Sequence, residues 1–530
     1  MNIFYFDRLH IRFPGLLLAV FLSGSVVAQF PNPDATLLFS RSQIGGSART
    51  AGAGGAFSSV GADIGSIDLN PAGLGLFNTT DICITPGIKV AADRSNYDGT
   101  NMNANHVGFE FAQAGAVITK KINRSSTQTS SPYTLKSISF GISFQADNFF
   151  GRDQSFGALN NTNSLVDNFA YVSNQQKTNL WSLEAQMMSA ISYMGLNSTG
   201  TYTSNMSAPV HQSGTLSTRG TLDKVNLGFG GNLGEKIFFG FSVVIPILNY
   251  SVNTVMLESN ANPNDSAQQF QGYQMSSTVS ESGAGVTGKV GLIYKPVPWA
   301  RFGVSYSLPT WYFLSENYSS ELTYYYGDSI LDGSVPPMSY TLRTPMKGMA
   351  GASFYLQDHG FISADYEFQN IGSTRYSFTD PAYSGNNGGY NSYLKSTYGY
   401  SHTVRVGIEG AIKKLRLRAG YAYTNSPFKA GQNYTDSKYN ASIQSASVGI
   451  GGRFKSFYID LAYVFSYTKD GVSPNSQIPL DQINSILMTH TALLTLGFKI
   501  PTKGMSSTPP KQQKRSSDQL PRYIDPGDKY

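Results

Sequence analysis

Along much of the chain, large apolar residues fall at every second position. Ile138, Phe140, Ile142 and Phe144 alternate with Ser139, Gly141, Ser143 and Gln145. In a strand this puts the apolar groups on one face and the small or polar groups on the other. Val225, Leu227 and Phe229 alternate with Asn226, Gly228 and Gly230, and beyond Asn232-Leu233-Gly234-Glu235 the pattern resumes at Ile237, Phe239, Phe241, Val243 and Ile245. Those two runs predict a tight hairpin. From Asp81 onward the pattern gives about fourteen candidate strands, several longer than the roughly 9–11 residues that cross an outer membrane at a tilt.

The connections sort by length. Short ones fall near Asn232 to Glu235, Lys295 to Pro298, Gln357 to Gly360, Lys413 to Lys414 and Lys455 to Ser456. Long polar ones run from Asp147 to Arg219, Leu257 to Tyr273, Ser315 to Pro337, Thr379 to Tyr400 and Lys469 to Asn484. Outer-membrane barrels have short periplasmic turns and long extracellular loops, so the alternation predicts both chain ends on the periplasmic side. The expected fold is therefore all-β, a transmembrane antiparallel barrel of about fourteen strands.

Three segments depart from the strand pattern. Asp34 to Thr80 is dense in Gly, Ala and Ser, with Gly45-Gly46-Ser47-Ala48-Arg49 and Gly54-Gly55-Ala56-Phe57, then the turn-forming Asn70-Pro71-Ala72-Gly73. It has too few large apolar side chains for a core of its own, which predicts a hatch plugging the lumen. Within the longest loop, Leu180, Leu183, Met187, Met188, Ile191 and Met194 recur at helical spacing. They predict an amphipathic helix above the barrel, with packing inside the loop as its plainer role and a ligand-guiding cover as the other. After Phe498 the chain turns to Pro, Ser, Lys and Gln, and predicts a disordered basic tail. A periplasmic partner for that tail is one reading and a solvated tail the simpler one.

At the amino terminus, Arg8 and Arg12 precede the apolar run Leu16 to Leu22 and the small residue Ala28. This reads as a secretory signal peptide cleaved near Ala28, since the run is too short to span a bilayer as a helix. The organisation expected is a signal peptide over 1–28, a hatch over 29–80, a barrel over 81–500 and the tail over 501–530. Composition fits: 40% of residues are hydrophobic and 14% charged, with 54 Gly, 33 Tyr and 32 Phe. Half of each barrel strand faces lipid, where charge is costly. Cys83 is the single cysteine, so no internal disulfide staples this exported chain.

Candidate chemistry is sparse. The six histidines form no close pair, and one cysteine cannot make a zinc site. There is no G-x-S-x-G elbow, so no catalytic residues, metal or cofactor are assigned and the protein is not read as an enzyme. Gly283-Ala284-Gly285-Val286-Thr287-Gly288 matches G-x-G-x-x-G but lies inside one strand pattern, where a nucleotide site needs a strand-to-helix turn. Asp365, Glu367 and Asp460 are single carboxylates on candidate strands, read as lumen-facing charge. The net charge of +6 is matched by six basic side chains between Lys503 and Lys529, which argues against nucleic acid as a partner.

The sequence resembles the FadL/TodX family of outer-membrane transport proteins for hydrophobic compounds, in the form common among Bacteroidetes-type bacteria. The strings that carry the resemblance are the two glycine-rich runs and Asn70-Pro71-Ala72-Gly73. They are followed in order by Gly291-Leu292-Ile293-Tyr294-Lys295-Pro296, Arg301-Phe302-Gly303-Val304-Ser305-Tyr306, Arg343-Thr344-Pro345, Ala364-Asp365-Tyr366-Glu367 and Arg418-Ala419-Gly420-Tyr421. It spans Asp34 to Phe498. It implies a fourteen-stranded barrel in the cell outer membrane, closed by a hatch whose shift lets an apolar molecule diffuse down its gradient and leave through the barrel wall. It implies hatch and gating roles for Gly45, Gly46, Arg49, Gly54, Gly55, Asn70, Pro71, Ala72 and Gly73. The expected partners are membrane lipid and a hydrophobic small molecule such as a long-chain fatty acid or an aromatic hydrocarbon. Pocket residues do not follow, because the long loops match no family motif. The competing reading is a barrel serving as a partner-binding or protein-export component.

Overall fold

The computed structural model describes residues 35–41, 43–122, 134–175, 183–206, 208–262, 271–324, 329–379, 384–385, 387–429, 440–472 and 483–501. The expected signal peptide, the first residues of the hatch, Leu180 and the tail beyond 501 lie outside them.

Three short helices come first: α1 (Ala35–Ser40), α2 (Ala48–Gly52) and α3 (Ser66–Leu69), followed by a 3-10 turn, Pro71–Leu76. The wall begins with β1 (Thr80–Tyr97), β2 (Thr100–Lys121), β3 (Leu135–Phe149) and β4 (Arg152–Asn160). The first long loop holds α4 (Leu165–Gln175), α5 (Leu183–Ala190) and a small hairpin, β5 (Met194–Leu196) with β6 (Tyr202–Ser204). Next come β7 (Val210–Leu233), β8 (Ile237–Asn260), β9 (Gly272–Val297), β10 (Ala300–Ser307), β11 (Trp311–Tyr324) and β12 (Ser329–Arg343). The chain continues through β13 (Lys347–Tyr355), β14 (Gly360–Asn370), β15 (Arg375–Phe378), β16 (Tyr400–Ile412) and β17 (Leu415–Thr424). It ends with β18 (Ile443–Arg453), β19 (Phe457–Val472) and β20 (Ile483–Ile500).

Eighteen of these strands form one antiparallel sheet that closes where β1 pairs β20, from Thr80 opposite Ile500 to Asn96 opposite Asn484. Four spans are broken once each, as β3/β4, β10/β11, β12/β13 and β14/β15, so the barrel has fourteen spans. Closure satisfies the backbone groups that an open edge would leave facing lipid.

Large apolar side chains point outward along the period-two pattern: Ile82, Ile84 and Ile88 on β1, Phe140 and Ile142 on β3, Val404, Val406 and Ile408 on β16. Their alternate neighbours, such as Ser139, Ser143, Arg405 and Glu409, are buried inside. Such a wall, apolar outside and polar within, is suited to lipid. Aromatic residues cluster toward the short-turn ends, where Trp299, Phe354, Phe457 and Phe498 are exposed.

The hairpin over Val225 to Ile245 forms as β7–β8 with its turn at Gly234, and Gly283 to Gly288 lies inside β9. Other expectations shift. Ser315 to Pro337 is not a loop: β11 and β12 pair through Tyr324–Ser329, because Glu316, Tyr318, Ser320 and Leu322 continue the inward alternation above the membrane. The 24 residues of β8, at about 3.3 Å each, make a strand far longer than a bilayer requires. One connection on the long-loop side is tight, since only Asp98 and Gly99 join β1 to β2. In the long loop, α5 stops at Ala190, Met194 enters β5, and α4 is a helix that the apolar spacing did not reveal. Val166, Phe169, Met187, Met188 and Met194 form one buried cluster with Val210, Tyr273, Met275 and Leu322, so the stripe packs inside the loop and onto the upper ends of β7, β9 and β11.

Ile142 is 52% exposed on the outer face. Ile142→Arg is expected to cost about 2–4 kcal/mol of folding stability if it sits at the bilayer midplane, measured by urea titration in lipid vesicles. An unchanged midpoint would place this residue away from lipid.

Candidate functional site

The hatch is held by glycines on both sides of its contact with the wall. Asn70 is 1% exposed; its Nδ2 donates to Ser58 O at 2.7 Å and its Oδ1 accepts from Ala72 N at 3.1 Å, which closes the Pro71–Leu76 turn. A Cβ on the wall residue Gly291 would lie 1.9 Å from Asn70 Oδ1, and one on Gly240 would lie 2.2 Å from Pro71 O. Within the hatch, a Cβ on Gly73 would meet the Ser66 side chain at 2.6 Å. Gly54 has φ +67, a conformation that favours glycine, and its partners Gly407 and Gly420 leave room for the Ala53–Gly54 backbone. Residues that look like flexible linkers in the sequence are close-packed contacts.

Charge fastens the same interface. Arg49 Nε lies 3.2 Å from Glu409 Oε2, and Arg418 joins Glu409 (2.6 Å) to Asp460 (2.7 Å), which Arg453 also contacts at 2.8 Å. Ser58 donates from its backbone N and its Oγ to Asp365, at 2.8 and 2.6 Å. Arg301 Nη1 donates to Val60 O at 2.7 Å. Asp68 on α3 is clamped between Lys289 and Lys224, the latter also bound to Asp147 at 2.8 Å. Burial opposes ionisation of Asp68, but Lys224 and Lys289 outweigh it and hold the carboxyl well below the usual carboxylate range.

The structure thus places Arg49, Gly54, Asn70, Pro71, Ala72 and Gly73 at hatch–wall or hatch–hatch contacts. Gly45, Gly46 and Gly55 line a different feature, a cavity of about 60 Å³ that also meets Asp147, Lys347, Glu367 and Arg405. It is polar and has room for a few waters. It does not suit an apolar ligand.

The apolar region lies higher in the lumen, where sequence reasoning assigned no residues. Leu37 and Phe39 of α1 are buried among Phe150, Leu222, Leu248, Tyr312, Leu314, Met338, Tyr340, Leu342 and Tyr376. Phe39 meets Phe150 and Tyr250 edge-on, with ring centroids 6.2 and 5.7 Å apart. Asn148 Nδ2 donates to Leu38 O at 3.1 Å, and Arg41 Nη1 donates to Ala441 O at 2.6 Å. The lining comes from five strands and one loop distant in sequence, so no local string could have shown it.

A slit in the wall adjoins this pocket. β2 pairs β3 only from Lys121–Ser137 up to Gln113–Gln145. Above that level β3 and then β4 stay with β7, and β4 leans against the inner face of β1, where Arg152 bridges Asp93 at 2.7 Å and Phe156 meets Tyr97 at 5.1 Å. Side chains fill the gap. The Phe149 ring lies over Gly108, where a Cβ would come within 2.1 Å of it, and His106 stacks on the same ring at 6.1 Å. Phe149 fills the slit while its neighbour Phe150 lines the pocket.

No protein-family model matches the sequence, and no curated protein matches it. Solved structures do. The P. putida toluene transporter TodX aligns over 87% of this chain and 99% of its own at 15% identity, with a TM-score of 0.50. A Pseudomonas aeruginosa FadL homologue aligns over the same shares at 15% identity, with a TM-score of 0.52. The chain shares the fold of these two proteins.

Proposed function

We propose that the protein is an outer-membrane channel for passive uptake of hydrophobic small molecules. The observation that carries this reading is the aromatic pocket in the upper lumen, filled by two side chains of the short helix α1 and adjoining a break in the wall. Burial of Leu37 and Phe39 contributes about 1.5–3 kcal/mol each, and an apolar ligand of similar size recovers that amount when it takes their place. The ligand enters from the long-loop side, displaces α1 and leaves sideways past Phe149 into the membrane. A water-filled pore gives apolar solutes no such preference. The shared fold with a toluene transporter supports monoaromatic hydrocarbons as one ligand class, with long-chain fatty acids as another. A partner-binding or export role has less support, since Val166, Phe169, Met187 and Met188 on the helices of the longest loop are buried.

In this reading the hatch contacts gate the path. Vesicles carrying the full chain are expected to take up a neutral monoaromatic compound faster than empty vesicles; equal rates would sink the channel reading. Asn70→Ala and Gly73→Ala are expected to alter that uptake while heat-modifiable migration of the barrel is retained. Loss of migration would make these residues structural only.

The Asp68 clamp predicts a pH dependence. Its carboxyl is held low in the folded protein, so its contribution is complete above the ordinary range near about pH 4 and is lost as pH falls through the lowered value. Asp68→Asn removes one side of a buried charge cluster, at a cost on the order of 3 kcal/mol. Ion current through planar bilayers is expected to rise at pH 7 in the variant, and in the unmodified protein only below about pH 4. Identical currents would show that the clamp does not hold the hatch.

A further inference from the structure

Buried carboxylates in this barrel are matched either by hydroxyl donors, as Asp63, Asp81, Glu258 and Asp365 are by Ser47, Tyr458, Ser164 and Ser58, or by a cation. Asp68, Asp93, Asp147, Glu367, Glu409 and Asp460 each form an ion pair with Lys or Arg. Glu281 on β9 and Glu316 on β11 differ. They stand directly opposite each other in the strand register, at 2% and 3% exposure. Neither has an ion pair among the described residues. Tyr340 Oη donates to Glu281 Oε2 at 3.0 Å, and Glu316 Oε2 has no hydrogen-bond partner among the described residues.

Their place in the wall ties them to the apolar pocket. One register row runs Tyr250, Glu281, Glu316, Met338 across β8, β9, β11 and β12. Tyr250 is the ring that Phe39 packs against, and Met338 and Tyr340 belong to the same buried cluster. The two carboxylates thus sit beside the space that α1 fills. Facing side chains on paired strands bring Cβ atoms within about 5.5 Å, where like charges are destabilising. A buried carboxylate is costly unless paired and hydrogen-bonded. A cation placed between the two removes both penalties, and the surrounding tyrosine rings favour a cation over their faces. A carboxylate ligand in the same place adds a further acidic group and relieves neither penalty.

We propose that the pocket selects apolar molecules carrying an ammonium group, with the ammonium seated between Glu281 and Glu316 and the apolar part replacing Leu37 and Phe39. The proposal rests on the reading of this pocket as the ligand site. It excludes fatty acids as preferred ligands and ranks neutral aromatics below amines of the same shape.

Three probes of matched size separate the terms: 2-phenylethylamine, 2-phenylethanol and phenylacetate, titrated calorimetrically at pH 7 into the purified full chain in mild detergent. The amine is expected to bind about tenfold more tightly than the alcohol, as a charge-assisted hydrogen bond allows, and phenylacetate most weakly. In Glu281→Gln/Glu316→Gln the preference for the amine over the alcohol is expected to be lost. Glu316→Gln alone serves if the double variant loses heat-modifiable migration. Alcohol binding with no preference for the amine, or a preference that survives the glutamines, overturns the ammonium site and leaves the apolar pocket standing. Absence of binding by all three probes overturns the pocket together with it.

Discussion

Closure of the sheet is the constraint on which everything else depends. A strand crossing hydrocarbon must pair its backbone on both sides, and the pairing of β1 with β20 completes the ring. Once the ring closes, the inner residue of every pair is committed to a shared interior. That interior is too wide for wall side chains alone to fill, and the amino-terminal segment occupies it. The polar inner face and the buried hatch follow from one geometric fact.

Filling a polar cylinder with a small-residue segment poses its own problem, because backbone groups of the hatch must find partners without water. Glycines on the wall answer it by letting strand and hatch backbones approach, as at Gly240 with Pro71 and Gly407 with Ala53. Ion pairs answer the rest. The cluster Arg49, Glu409, Arg418, Asp460 and Arg453 satisfies charges whose burial would otherwise be prohibitive. A seal of this kind is tight but directional. It combines these polar contacts with close backbone packing and apolar contacts such as Phe57 on Phe361.

The upper lumen uses a different chemistry. Its aromatic lining holds α1 mainly by burial, aided by hydrogen bonds from Asn148 to Leu38 O and from Arg41 to Ala441 O. Arg41 lies deep enough that burial lowers its pKa to about 10, with Asp470 and Tyr398 opposing. The break in pairing between β2 and β3 lies beside this compartment, with Phe149 as its cover. A polar seal below, an apolar chamber above and a lateral slit beside it divide the barrel into parts with separate energetics.

Much of the architecture is legible along the chain. Alternation at Ile138 to Gln145 specifies which side chains face lipid, because the strand period is two regardless of context. The short turns near Gly234, Lys413 and Ser456 mark one end of the barrel, and the glycine-rich run with Asn70-Pro71 marks a segment unable to build its own core. The strings at Gly291, Arg301 to Gly303, Asp365 to Glu367 and Arg418 to Gly420 turn out to touch the hatch or its charge network. Their meaning as a socket is not local, since each glycine is informative only beside the hatch atom it admits. The length of β11 and β12 above the membrane, the slit at Phe149, the α1 pocket and the Glu281–Glu316 pair are likewise invisible in sequence order. Strand periodicity is a property of neighbouring residues, so the sequence by itself determined the wall and its two faces. The compartments inside arise from contacts between residues hundreds of positions apart, and only the closed sheet decided which of them meet.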